Sequence, residues 1–234
     1  HQPRPGDGLQ RQIDHDPDRI GDGVDHLLLG LGQPGRQPQV GIGEGVFQRV
    51  GTPRRWLWPS LRLLERRGVV AAVWESDVPF RVENRTIASR AIGERTFHFD
   101  RGPWTMRDAA ALTRHGRVVD ELGEPGLVAA CFDVEVHQGA LHLVSRAVGL
   151  RLGRLRMRIP APIAPLIRLT ERFDDALDRQ RMALTVDAPF LGRVYEYRGD
   201  FTYRIHHSEK EQTTCAQDGS SSAGGGDGGA QVLG

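Results

Sequence analysis

Five ionisable side chains in the middle of the chain, Asp120, Glu121, Asp133, Glu135 and His137, would suffice for general acid/base chemistry if one pocket gathered them. Glu121 leads this group. Strand alternation places it with Val119, and a carboxyl among apolar neighbours keeps its proton to higher pH than one in water. A histidine such as His98 would complete a small acid/base enzyme, a hydrolase or isomerase, with the two side chains in one cleft within hydrogen-bond reach or one water apart. The aromatic residues suggest a different chemistry. Tyr195, Tyr197 and Tyr203 have apolar bodies and hydrogen-bonding tips, which suit either a cavity for a partly polar ligand or ordinary core packing. A binding domain of that kind predicts an apolar cavity lined by Trp74, Phe80, Phe132, Leu184, Tyr195 and Tyr197, with few buried charges.

Three other patterns invite a chemical reading. Arg154, Arg156 and Arg158, with Arg146 and Arg151 nearby, have the composition of a phosphate or anionic head-group site. They equally suit the solvated face of a strand lying across from Asp133 and Glu135, each favourable pair being worth about 0.2 to 1 kcal/mol, and this second reading is the one we adopt. Gly30, Gly32 and Gly35 have the spacing of a dinucleotide-binding turn. Pro38, Gly41, Gly43 and Gly45 follow them, however, and would break the helix whose N-terminus must face the pyrophosphate. Asp14, His15, Asp16 and Asp18 are metal-ligand residue types, but neighbours in a flexible segment do not fix a coordination geometry. No metal and no cofactor is therefore expected.

The elements that must position these groups are strands. Across residues 128–160, Phe132, Val134 and Val136 alternate with Asp133, Glu135 and His137, Gln138-Gly139 forms a turn, and Leu155, Met157 and Ile159 alternate with arginines until Pro160 ends the ladder. Similar signals recur at residues 69–75, 80–88, 94–100, 106–113, 117–122, 167–173, 181–187 and 193–205. Residues 56–67 are the one helix candidate, started by Pro59 and Ser60, stopped by Gly68 and anchored by Trp56 and Trp58. About ten short strands at turn spacing predict a mainly β chain, a curved antiparallel meander closing into a barrel or half-barrel with one short N-terminal helix and disordered termini.

Composition sets the boundaries. Hydrophobic residues make up 38% of the chain, and the 29 glycines and 14 prolines crowd toward its two ends. Residues 1–53 read as low-complexity and disordered, 54–205 as a single antiparallel β domain, and 206–234 as a Gly/Ser-rich tail. Lys210 is the sole lysine among 31 basic residues, a skew that a GC-rich genome produces through codon usage. A net charge of +1 gives no reason to expect a nucleic-acid partner. Cys131 and Cys215 form no disulfide framework, no apolar run is long enough for a membrane span, and no signal-peptide pattern is present, so a cytoplasmic protein is expected. The chain opens on His1 rather than methionine, as a fragment would.

The order Val78-Pro79-Phe80-Arg81-Val82, residues 94–99, residues 116–123, residues 133–141, Ile159-Pro160 and Pro165 resembles the bacterial domain of unknown function 4166. The resemblance spans about residues 54–205, and its most specific part is the run from Val186 through Pro189, Gly192 and Tyr197 to Gly199. This chain has Thr96 and His98 where the family tends to carry a tryptophan and an arginine. Members of the family often follow a dinucleotide-binding dehydrogenase-like or epimerase-like domain, so the resemblance implies an accessory domain with an oxidoreductase partner. The expected function is non-enzymatic binding of an apolar small molecule, or docking on that partner. The alternative is the acid/base enzyme built on Glu121 and a histidine.

Overall fold

The computed structural model describes residues 39–207, apart from Ala88. Twelve antiparallel strands run in chain order: β1 (Gln39–Gly51), β2 (Trp74–Glu75), β3 (Val78–Ile87), β4 (Arg90–Phe99), β5 (Gly102–Leu112), β6 (Val118–Leu122), β7 (Val128–His137), β8 (Ala140–Leu152), β9 (Leu155–Arg158), β10 (Leu166–Asp174), β11 (Arg179–Ala188) and β12 (Gly192–His207). From β3 to β8 each strand pairs with the next, as do β10, β11 and β12. Three further pairings, β1 with β3, β12 with β1 and β8 with β10, close a ring of ten strands. The short β2 and β9 stand outside it, paired to the ends of β1 and β8. Closure removes the free edges that an open sheet of this length would expose.

Side-chain alternation decides which face of each strand turns inward. In β7, Phe132 and Val134 are buried while Asp133, Glu135 and His137 face out. Gln138 and Gly139, both at positive φ, make the two-residue turn into β8, a conformation that matches strand twist.

One strand corrects the domain boundary expected from sequence. β1 lies within residues 1–53, the segment read as low-complexity, and its ladder to β12 extends over its whole length. Its inward positions are Gly41, Gly43 and Gly45, followed by the fully buried Phe47. A Cβ on Gly43 would lie 2.6 Å from Val82, and one on Gly45 would lie 2.0 Å from the Asp200 carbonyl oxygen. Glycine is needed there because Phe201 and Tyr203 of the neighbouring strand occupy the interior, and a strand whose inner face is glycine shows no apolar alternation. The Asp14–Asp18 and Gly30–Gly35 patterns lie outside the described residues, as do Cys215 and almost all of the expected 206–234 tail.

The arginine ladder needs a second correction. β9 pairs with Gly149–Leu152 of β8, so Arg154, Arg156 and Arg158 do not lie across from Asp133 and Glu135. Asp133 is held instead by Arg117 at 2.9 Å and Arg146 at 2.6 Å. A bulge in the β1–β12 ladder falls opposite Gly199. The extra residue is on β1 between Phe47 and Arg49, and a Cβ on Gly199 would meet the Phe47 ring at 2.6 Å.

The expected helix appears as a 3-10 turn (Arg55–Leu57) leading into α1 (Trp58–Glu65), with proline in the first turn. Trp104 on β5 donates its indole N–H to the Glu65 carbonyl at 3.0 Å, tying the last turn to the barrel. Trp58 donates to the Thr52 carbonyl at 3.3 Å, whereas Trp56, expected as a second anchor, is 60% exposed. Residues 69–73, expected as a strand, are an irregular buried segment whose Val73 carbonyl receives the Thr52 N–H at 2.9 Å.

The interior has two buried clusters. On the β1, β3, β4 and β12 side, Phe47, Phe80, Phe97, Tyr197 and Phe201 interlock, with Phe47 edge-on to Phe80 at 4.5 Å and to Tyr197 at 5.4 Å. On the β5 to β8 side the cluster is mostly aliphatic, built from Val118, Val134, Leu141, Leu143 and Val148 with Phe132 as its one ring. Among the described residues no helix is long and apolar enough to cross a membrane.

Candidate functional site

A cavity of about 420 Å³ lies inside the barrel beneath α1, bordered by members of both the ring cluster and the aliphatic cluster. Leu57, Leu61 and Leu64 of the helical segment line it at one end, and Met106, Phe132, Leu169, Leu184 and Val186 line its walls. The volume and the largely apolar lining are those of a small-molecule site.

Four ionisable side chains interrupt that lining: Arg95 on β4, Asp108 on β5, Asp120 on β6 and Glu171 on β10. Each is in phase with apolar inward residues of its own strand. Arg95 shares a face with Phe97 and Phe99, Asp108 with Met106 and Ala110, Asp120 with Val118 and Leu122, and Glu171 with Leu169. Arg95 and Asp108 form a buried ion pair. Gly93 makes room for it, since a Cβ there would stand 2.8 Å from Asp108 Oδ1 and 2.9 Å from Arg95 Nη1. Beside the pair, Asn84 donates to the Tyr203 hydroxyl at 3.1 Å.

The charge balance of this floor is one guanidinium against three carboxyls, and burial favours the protonated form of two of them. Burial pushes Asp120 up to about 6 even though the Arg95 guanidinium pulls the other way. Glu171 is pushed up to about 7, again by burial, against the hydrogen bond that Gln180 donates to its Oε1 at 2.9 Å. The Tyr197 hydroxyl is pushed up to about 12 by the same desolvation, so it keeps its proton and remains a donor. Four polar atoms of the cluster, Arg95 Nε, Asp108 Oδ1, Asp120 Oδ1 and Gln180 Oε1, are buried with no hydrogen-bond partner, although Asp108 Oδ1 is held by the ion pair with Arg95. Such atoms cost free energy unless something satisfies them. A proton on Glu171 would supply a donor for Gln180 Oε1. Arg95 Nε can only donate, and Asp120 Oδ1 in its ionised form can only accept.

The residues singled out in the sequence are divided by this arrangement. Phe132, Leu184, Tyr195 and Tyr197 line the cavity. Phe80 is buried in the ring cluster behind the wall, and Trp74 stacks under Arg49 on the short β2, 4.8 Å from ring centroid to guanidinium carbon. The Tyr195 oxygen meets the Ala71 backbone amide, and burial raises its pKa. The expectation of few buried charges fails at the floor, where four ionisable groups meet.

Glu121 and His98 are not brought together. Glu121 faces away from the cavity and binds Arg90 at 2.7 Å on the outside of the barrel. His98 is exposed near the opposite end of β4, paired with Pro103. Glu121 pairs through Ala109 with Ile92, so His98 is six residues further along β4, about 20 Å at the rise of a strand. The carboxyl that enters the cavity is that of the adjacent Asp120. In a five-residue strand reading Val118-Val119-Asp120-Glu121-Leu122, both faces carry a valine and a carboxyl, and alternation alone leaves the phase open. For Arg95, Asp108 and Glu171 a signal was present, a charged residue in phase with apolar ones, and it is the pattern that would have found the floor.

Among the described residues no three His, Cys, Asp or Glu side chains gather as metal ligands. No curated protein and no solved structure matches the chain. The sequence profile of the family described as Domain of unknown function (DUF4166) matches residues 34–201. That match takes in β1 as well as the strands carrying the floor, from Arg95 to Glu171, and with most of its length covered the chain belongs to the DUF4166 family.

Proposed function

We propose that the barrel binds a small apolar molecule carrying one neutral polar end, a hydroxyl or carbonyl, with the apolar body beneath α1 and the polar end on the floor. The observation that supports this most is the entry of Arg95, Asp108, Asp120 and Glu171 into the lining of an otherwise apolar cavity. An apolar body alone would leave the polar side chains of the floor with no partner from the ligand, and a neutral polar end offers them one. Titrating the chain with a medium-chain primary alcohol and following the fluorescence of Trp104, which lines the cavity, tests this reading. Saturable binding by the alcohol, with weaker binding of the alkane of equal length, is the expected result. Equal binding of the two would remove the floor from the account. Association with a dinucleotide-binding oxidoreductase domain is the further expectation carried by the family resemblance, and it would use the outside of the barrel.

A second reading is favoured by one observation. Asp120 and Glu171 titrate near neutrality beside an apolar cavity, the condition under which carboxyls act as general acid and base. If the bound molecule is a ketone, the chain would speed exchange of its α-hydrogens for solvent deuterium, and Asp120→Asn would abolish the acceleration while leaving binding in place. Exchange at the solvent rate in the unaltered chain would leave binding as the sole role.

A further inference from the structure

We propose that the α1 end of the barrel is a docking face for an anionic lipid bilayer, placing the cavity over the membrane from which an apolar ligand would come. The antiparallel pairing puts α1, the β8–β9 hairpin, the connector before β10 and the β11–β12 turn around one rim. This rim carries Trp56, Leu63, Leu152, Leu155, Ile163 and Phe190, all more than half exposed, with Phe190 97% exposed. Exposed apolar side chains of this size scattered singly call for no explanation, but gathered on one end they mark an interaction surface.

Charge identifies the partner. Many arginines on the barrel wall pair with carboxylates, as with Arg81 and Glu44, Arg107 and Glu94, Arg168 and Asp187, while Arg172, Arg198 and Arg204 stand there singly with no such pair among the described residues. On the rim, Arg62, Arg66, Arg154, Arg156 and Arg158 are exposed and none has a carboxylate partner among the described residues. In the β9 hairpin these arginines alternate with Leu155 and Met157, so apolar and cationic groups project side by side. That combination suits the boundary between lipid head groups and acyl chains, where apolar groups enter and guanidinium groups meet phosphate. At the far end, the β10–β11 turn carries Asp174, Asp175 and Asp178 beside Arg179, so charges of both signs meet there. The rim is also continuous with the cavity, which Leu150, Ile159 and Leu191 line from the same hairpin and turn.

The test is flotation of the full chain with vesicles, with no ligand added, so that its outcome is independent of cavity binding. Vesicles of phosphatidylcholine and phosphatidylglycerol in equal parts should carry the chain, and vesicles of phosphatidylcholine alone should carry far less. Arg154→Ser with Arg156→Ser should weaken partitioning by about 30-fold. Leu155→Ser with Phe190→Ser should weaken it on both vesicle types, and Leu177→Ser at the far end should leave it unchanged, with near-ultraviolet circular dichroism confirming that each variant is folded. Absence of flotation with the anionic vesicles would overturn the proposal and turn the rim toward a protein partner. Flotation that the rim substitutions do not reduce would overturn it as well.

Discussion

The two sides of the barrel interior share one backbone plan and differ in what fills them. Along β1, β3, β4 and β12 the inward residues are rings and glycines, with Phe47 locked between Phe80, Phe97 and Tyr197 and Gly41, Gly43 and Gly45 ceding space to Phe201 and Tyr203. Along β5 to β8 and β10 they are smaller aliphatic side chains interrupted by Asp108, Asp120 and Glu171. Phe47, Phe80 and Phe201 are packed as a core is packed, and about 420 Å³ stays unfilled where the ring cluster faces the aliphatic one. The tight packing therefore lies behind the cavity wall, and the ionisable groups lie at the cavity itself.

Substitutions should separate the two. Phe47→Ala removes a fully buried ring with three ring neighbours and should cost about 3 to 5 kcal/mol in denaturant unfolding, whereas Phe132→Ala, whose ring already borders the cavity, should cost less. An unfolding cost for Phe132→Ala equal to that of Phe47→Ala would mean the cavity wall is as tightly packed as the ring side. Gly45→Ala places a methyl group against the Asp200 carbonyl, a backbone atom that cannot rotate away, and should destabilise by about 1 to 3 kcal/mol.

The floor should announce itself through pH. Glu171 is raised above its unfolded value, so the folded protein holds its proton over a range in which the unfolded chain has lost it. Its contribution to stability is present below about 4.5 and is lost as pH rises through about 7, up to roughly 3 kcal/mol in all. Glu171→Gln should flatten that fall and leave the protein more stable than the parent at neutral pH, as read from denaturation midpoints across the range. A pH dependence identical in the two proteins would contradict burial of an ionisable Glu171. The smallest effect belongs to the outside of the barrel. Arg117→Ala breaks one exposed pair with Asp133, which keeps Arg146, and should change stability by less than about 1 kcal/mol.

The strands of the barrel were legible because period-two alternation survives wherever one face is apolar, as in β7 and β11. β1 was hidden by the same rule, because its inner face is glycine and the rings that replace its side chains sit far away in sequence on β12. Four cavity residues, Phe132, Leu184, Tyr195 and Tyr197, could be named from type and phase. The floor could not be assembled, since its members come from β4, β5, β6 and β10 and meet only when the barrel closes. The choice of Glu121 over Asp120 turned on one step of register in a strand too short to fix its own phase.

Native mass spectrometry of two proteins tests whether the space between the ring and aliphatic clusters is open in order to hold a molecule. The unaltered chain and Leu184→Trp, which fills the cavity from a wall position that still has accessible surface, would be purified from cells and sprayed without denaturant. The account predicts a stoichiometric small-molecule adduct on the first and its loss from a folded second. An adduct carried equally by both would contradict it by placing the ligand outside the barrel.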